Sequence, residues 1–133
     1  ELLDVTVSLD RQLSSPVDAF LVVFSIFDRS SFDRAVQDME TIVSVMTSKF
    51  KHVPPIVLVC NKSDLEAERD VRECDARDCA REFHAKYVEC SAKTGHNVNQ
   101  MIWDVVRSIR QHRAKLAEAN DGTKKENRNC RLM

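Results

Sequence analysis

The chain predicts a three-layer α/β domain with a mostly parallel sheet, and three observations carry that reading. Short apolar runs rich in branched and aromatic residues occur at 19–26, 56–60 and 86–90. Between and after them the apolar residues fall at helical spacing. The resulting alternation of strand and helix calls for parallel strands joined by right-handed crossovers, with helices on the sheet faces. At 133 residues and 43% hydrophobic content the chain suits one domain with a real core.

Each element follows from its own chemistry. AFLVVFSI, 19–26, has no polar face, as expected of a strand covered on both sides. Ser30 and Ser31, with Asp33 close behind, read as a capping arrangement for a helix over 31–50. Phe32, Val36, Met39, Ile42 or Val43, and Met46 supply its apolar stripe. Pro54 and Pro55 stop that helix before the strand IVLVC. A second helix is expected over 71–84, with Ala76, Cys79, Ala80 and Phe83 on one face and the charges of EAERDVRECDARDCARE on the other. KYVEC forms the third strand, and after Gly95 the spacing of Asn97, Val98, Ile102, Val105, Val106 and Ile109 predicts a long capped helix, with Trp103 covering the sheet or a partner groove. Residues 1–5 read as the end of a further strand, with Asp4 at its carboxyl edge. From 120 the chain turns polar and aperiodic and reads as a flexible tail, which leaves 1–119 as the folded part.

Composition excludes several functions. The formal net charge is -1, which gives no general attraction to nucleic acid. Five cysteines, at 60, 74, 79, 90 and 130, lack the spacing of a zinc site and read as reduced thiols of a cytosolic protein, with Cys60 and Cys90 inside strands. The four histidines, at 52, 84, 96 and 112, read as scattered surface residues.

What remains is polar chemistry at strand ends. In open α/β sheets ligands bind beyond the carboxyl ends of the strands. Asp4, NKSD at 61–64 and SAK at 91–93 all fall at such ends. A loop carboxylate can accept two hydrogen bonds from a planar N–H and NH2 edge, which guanine has and adenine lacks. The stem of Lys62 can cover a purine face, Asn61 can donate or tie the loops together, and the Ala92 and Lys93 amides can meet a ring carbonyl.

NKSD and SAK, one helix and one strand apart, resemble the guanine-recognition motifs of Ras-superfamily small GTPases. The likeness extends from about Asp18 to Arg113 through DAFLVVFSIFDRSSF, PIVLVCNKSDL and the final helix. It implies a Ras-like, P-loop-NTPase-like fold and binding of GTP and GDP with Mg2+. By the same resemblance Asp64 binds the base edge, Asn61 and Lys62 frame it, Ser91 supports Asp64, and Ala92 with Lys93 completes the pocket. ELLDV resembles the strand into the family's D-T-A-G motif, making Asp4 the indirect magnesium contact, although Val5, Thr6 and Val7 replace the rest. G-x-x-x-x-G-K-[ST] does not occur, the only glycines being Gly95 and Gly122, so the chain reads as an amino-terminally truncated domain without the phosphate loop or the catalytic glutamine. DRSSF and NKSDL share features with the Rad and Gem group.

Cys130, Arg131, Leu132 and Met133 fit C-a-a-X, and the terminal methionine favours a farnesyl group on Cys130. One lipid holds weakly, and Lys115, Lys124, Lys125, Arg128 and Arg131 offer a modest basic second signal. The expected function is therefore a membrane-tethered guanine-nucleotide switch, on the cytoplasmic face, with effector and regulatory proteins as partners. The alternative is a membrane-anchored interaction module that keeps the fold without holding or cleaving nucleotide.

Overall fold

The computed structural model describes residues 17–61, 67 and 69–131, with side chains through Ala119. Three strands, β1 (Phe20–Ser25), β2 (Ile56–Asn61) and β3 (Lys86–Glu89), alternate with three helices, α1 (Arg29–Phe50), α2 (Glu73–Glu82) and α3 (Val98–Arg131). The strands pair in the order β1-β2-β3, both pairs parallel. This is the predicted α/β architecture. The expected strand at 1–5 lies outside the described residues.

Strand β2 organises the layers because both of its faces are covered. Ile56, Leu58 and Cys60 join Phe20, Val22 and Phe24 of β1 in one core, which is closed by Phe32, Ala35, Met39, Ile42 and Met46 of α1 and by Ala76 and Ala80 of α2. Val57 and Val59 point the other way and meet Val88, Cys90 and the α3 residues Met101 and Val105. The two-residue period of a strand thus sends one apolar run into two cores.

Local chemistry sets the ends of α1. Its cap is Asp28 rather than Ser30: the carboxylate accepts from the Ser30 and Ser31 amides at 3.0 and 3.3 Å. An aspartate in extended backbone ahead of the helix answers two of its orphan donors, and a hydrogen bond from the Ser30 hydroxyl leads the contacts that hold its carboxyl below the ordinary range. Ser31 is used differently, accepting from the Ser25 amide at 2.9 Å and donating to the Asp28 carbonyl at 2.7 Å. It stitches the start of α1 to the end of β1. At the far end Lys51 takes a left-handed φ of 60° and Pro54 and Pro55 follow.

Several expectations change. Trp103 is 62% exposed and Ile102 51%, so neither covers the sheet, and the seam is made by Met101 and Val105 instead. Leu21, Val23 and Phe27, on and beyond β1, are also exposed. Helical backbone continues to Arg131, through the polar segment expected to be irregular, although Gly122 costs such a helix about 1 kcal/mol against alanine. His52 and His112 are not isolated surface residues: their rings sit 5.4 Å apart, and His52 Nδ1 and His112 Nε2 are buried without a hydrogen-bond partner among the described residues. Burial, followed by the His52 and Lys115 charges, lowers the His112 pKa. Cys60 and Cys90 are buried, Cys60 inside β2 as expected and Cys90 one residue beyond the end of β3, and burial pushes the Cys60 thiol up to about 11.

Leu58 is fully buried. Leu58→Ala is expected to cost about 2–5 kcal/mol of stability in urea unfolding, against a much smaller loss for the partly exposed Leu21→Ala. The depressed His112 pKa implies stability that is complete above the ordinary histidine value near 6.5 and is lost as pH falls through that value toward the folded one. The urea midpoint should drop between pH 7.5 and 5.5, and His112→Gln should flatten that slope.

Candidate functional site

Parallel register brings the carboxyl ends of all three strands to one rim. Ser25 pairs with Asn61, and Cys60 with Glu89, as the last partners of their ladders. The Ile26 amide then donates to the Asn61 carbonyl at 3.1 Å, and the Cys90 amide to the Cys60 carbonyl at 2.8 Å. Beyond these bonds side chains take over. Asn61 Oδ1 accepts from the Ala92 amide at 3.1 Å, bridging two segments 31 residues apart in sequence. This bond ties the two segments together. The Ala92 N–H, offered by the sequence to a ring carbonyl, is engaged within the protein. Lys62 and Asp64 lie outside the described residues.

The 91–97 turn is built around Ser91, which is fully buried. Its amide donates to the His96 carbonyl at 3.0 Å, its carbonyl accepts from Gly95 at 2.8 Å, and Oγ accepts from the Thr94 amide at 3.2 Å. A serine at this point satisfies polar backbone that the tight turn would otherwise strand. Gly95 has a φ of +78°, a region other residues seldom enter, and it makes the return possible. Ala92 and Lys93 consequently stand exposed at the tip. Asn97, itself at φ 59°, donates from Nδ2 to the Glu89 carbonyl at 3.0 Å and anchors the start of α3 to the end of β3.

A charged pair that sequence reasoning passed over spans the same rim. Arg69 Nη2 donates to both Glu89 carboxylate oxygens, the longer contact being 2.9 Å, while Nη1 donates to the Val71 carbonyl at 3.0 Å. The two side chains are only 16% and 19% exposed. Next to Arg69, the Asp70 and Val71 amides both donate to the Ile26 carbonyl at the end of β1, at 2.9 and 3.2 Å. The neighbouring charges behave as expected of a solvated helix face, with Glu73–Arg77, Arg72–Asp75 and Asp78–Arg81 pairs that contribute little. The signal for the exception was available: Glu89 is a carboxylate inside a strand, flanked by Val88 and Cys90.

Other candidates resolve less. Asp4 and the side chain of Cys130 lie outside the described residues, and no cluster of three or more His, Cys, Asp or Glu that could hold a metal occurs among those described. No described helix is long and apolar enough to cross a membrane. A cleft of about 510 Å³ runs along β3 between Arg77, Tyr87, Glu89 and Asp104, and Asn61 and Ala92 are not among its walls.

Comparison with known proteins agrees with this geometry. Residues 7–111 match the family model described as Ras family. Protein ras-1 of Neurospora crassa is 41% identical over 112 residues, covering 84% of this chain and 51% of that protein. Ras-related protein O-RAL of Diplobatis ommata is 40% identical over 117 residues, covering 87% and 55%. GTP-binding protein GEM of Homo sapiens is 40% identical over 96 residues, covering 72% and 31%. The chain thus spans about half the length of the first two relatives and about a third of the last. With a parallel α/β sheet, polar loops meeting at its carboxyl rim and a match over 7–111, the chain belongs to the Ras family.

Proposed function

We propose that this chain supplies the guanine-recognising rim of a Ras-type nucleotide switch that is tethered to the cytoplasmic face of a membrane by a lipid on Cys130. The observation that carries the reading is the Asn61 to Ala92 hydrogen bond, which joins the NKSD and SAK motifs at the sheet end where α/β folds take their ligands. On this rim the Asp64 carboxylate would accept from guanine N1–H and the exocyclic amine together, a pairing that adenine cannot offer. The aliphatic stem of Lys62 would lie over the base, and Ser91 would steady Asp64. Ala92 and Lys93 would close the pocket from the other loop. The GTP-binding described for GEM of Homo sapiens belongs to the same reading.

The ligand would be GTP or GDP, with Mg2+ at the phosphates and Asp4 as its indirect contact. The family's phosphate loop is not among these 133 residues, so phosphate binding and hydrolysis are assigned to none of them. Effector and regulatory proteins would read the nucleotide state through segments that order around the γ-phosphate. The C-a-a-X ending provides one lipid, and a single lipid with a modest basic segment gives reversible attachment.

Titration with GDP and with ADP, followed through the Asn61 and Ala92 amide resonances, tests base recognition. GDP alone should perturb them, and Asp64→Asn should weaken the response by about tenfold or more, the loss expected for a charged hydrogen-bonded contact. Equal responses to the two nucleotides would refute the reading. Incubation with farnesyltransferase should add one prenyl group to the chain and none to Cys130→Ser, as read by intact mass.

A further inference from the structure

Two loops carry the proposed base contacts, and the backbone ladder between their strands ends below them. After the Cys90 to Cys60 bond at 2.8 Å, the Asn61 to Ala92 bond is the next link upward, and it is made by one side chain to an exposed residue. An amide side chain has rotamer freedom of its own. Something has to set the spacing at which it reaches.

We propose that the Arg69–Glu89 ion pair is a positioning latch for the guanine rim, setting the separation at which Asn61 bridges to Ala92; this rests on the function proposed above. Three features argue for it. The first is placement: Glu89 is the last β3 residue in register with β2, opposite Cys60, and it immediately precedes the Cys90–Ser91–Ala92 turn. Arg69 closes the other loop, eight residues after Asn61.

The second feature is connectivity. Arg69 leads directly into Asp70 and Val71, whose amides are bound to the end of β1, and its side chain reaches across to β3. Arg69 therefore relates the end of β3, through its side chain, to the end of β1, through the backbone that follows it. Asn97 holds the Glu89 carbonyl from the α3 side, so the carboxylate is presented from a fixed backbone.

The third is chemistry. The planar guanidinium serves the carboxylate with Nη2 and the Val71 carbonyl with Nη1 at the same time. A lysine ammonium is a point charge and cannot reproduce that fork. At 16% and 19% exposure the pair is screened far less than the helix-surface pairs of α2, and losing one partner removes this charged contact from a largely desolvated site. In this proposal Arg69 and Glu89 act through the Asn61 to Ala92 bridge.

The test compares the 133-residue chain with Glu89→Gln, Arg69→Lys and the double variant Arg69→Gln/Glu89→Gln, using amide exchange by NMR. Ala92 reports the bridge, and Phe20, whose amide donates to the Pro55 carbonyl at 2.9 Å at the opposite end of the sheet, reports the fold. Each single variant should speed Ala92 exchange by about tenfold, the order of a lost charged contact, and leave Phe20 unchanged. The double variant should be no faster than the singles, because the two residues form one interaction. Unchanged Ala92 exchange, or equal acceleration at Phe20, would overturn the latch. A GDP titration separates the two readings. Silence from the unsubstituted chain would count against base recognition while the exchange comparison still decides the latch. A GDP response that is the same in all variants would overturn the positioning role.

Discussion

Burial of β2 on both faces is the constraint from which the rest of this structure follows. Val57, Leu58, Val59 and Cys60 are essentially inaccessible, so no polar side chain is tolerated until the strand emerges. A strand enclosed in this way must be served by helices on each side, which is why α1 and α2 close one core and α3 the other. It must also have parallel neighbours reached by crossovers, and that brings the ends of β1, β2 and β3 to the same edge. Polar function is confined to the rim because the strand admits it nowhere else.

The rim is assembled from hydrogen bonds that change character with height. At its base the ladder and the Ile26 to Asn61 bond are backbone to backbone. One level up, Asn61 and Ser91 use side chains to satisfy backbone amides of the 91–97 turn. Outside these, Arg69 and Glu89 use charge across a longer gap. Each step trades the regularity of a ladder for reach. An asparagine, a buried serine and an arginine are the residue types whose donors and acceptors suit those three spans. The function proposed above rests on this arrangement, since the motifs joined at the rim are those that resemble the guanine-recognition loops.

Among the described residues, the apolar surface left exposed beside β1 has a physical cost. Leu21, Val23 and Phe27 on the sheet side, and Ile102 and Trp103 on α3, leave apolar surface in water that α3 alone does not cover. The relatives matched here are about two to three times as long as the aligned region. Among the described residues, stability therefore rests on the two cores around β2 rather than on a fully enclosed sheet.

The sequence by itself determined the architecture. Runs of branched and aromatic residues alternating with helical stripes specify strands and helices locally, and the placing of NKSD and SAK after two such strands pointed to a single rim. It also identified Phe32, Met39, Ile42 and Met46 as core positions of α1, because a 3.6-residue period can be read along the chain, while Ala35 rather than Val36 completes the buried face. Tertiary structure decided the rest. Asp28, not Ser30, caps α1, since the choice depends on which backbone leaves β1 in extended form. Trp103 stays in solvent because α3 meets the sheet through Met101 and Val105. The His52–His112 contact and the Arg69–Glu89 pair join residues 60 and 20 positions apart. No local pattern encodes such pairings. Each depends on which segments lie side by side once the strands are in register, and that proximity exists only in the folded chain.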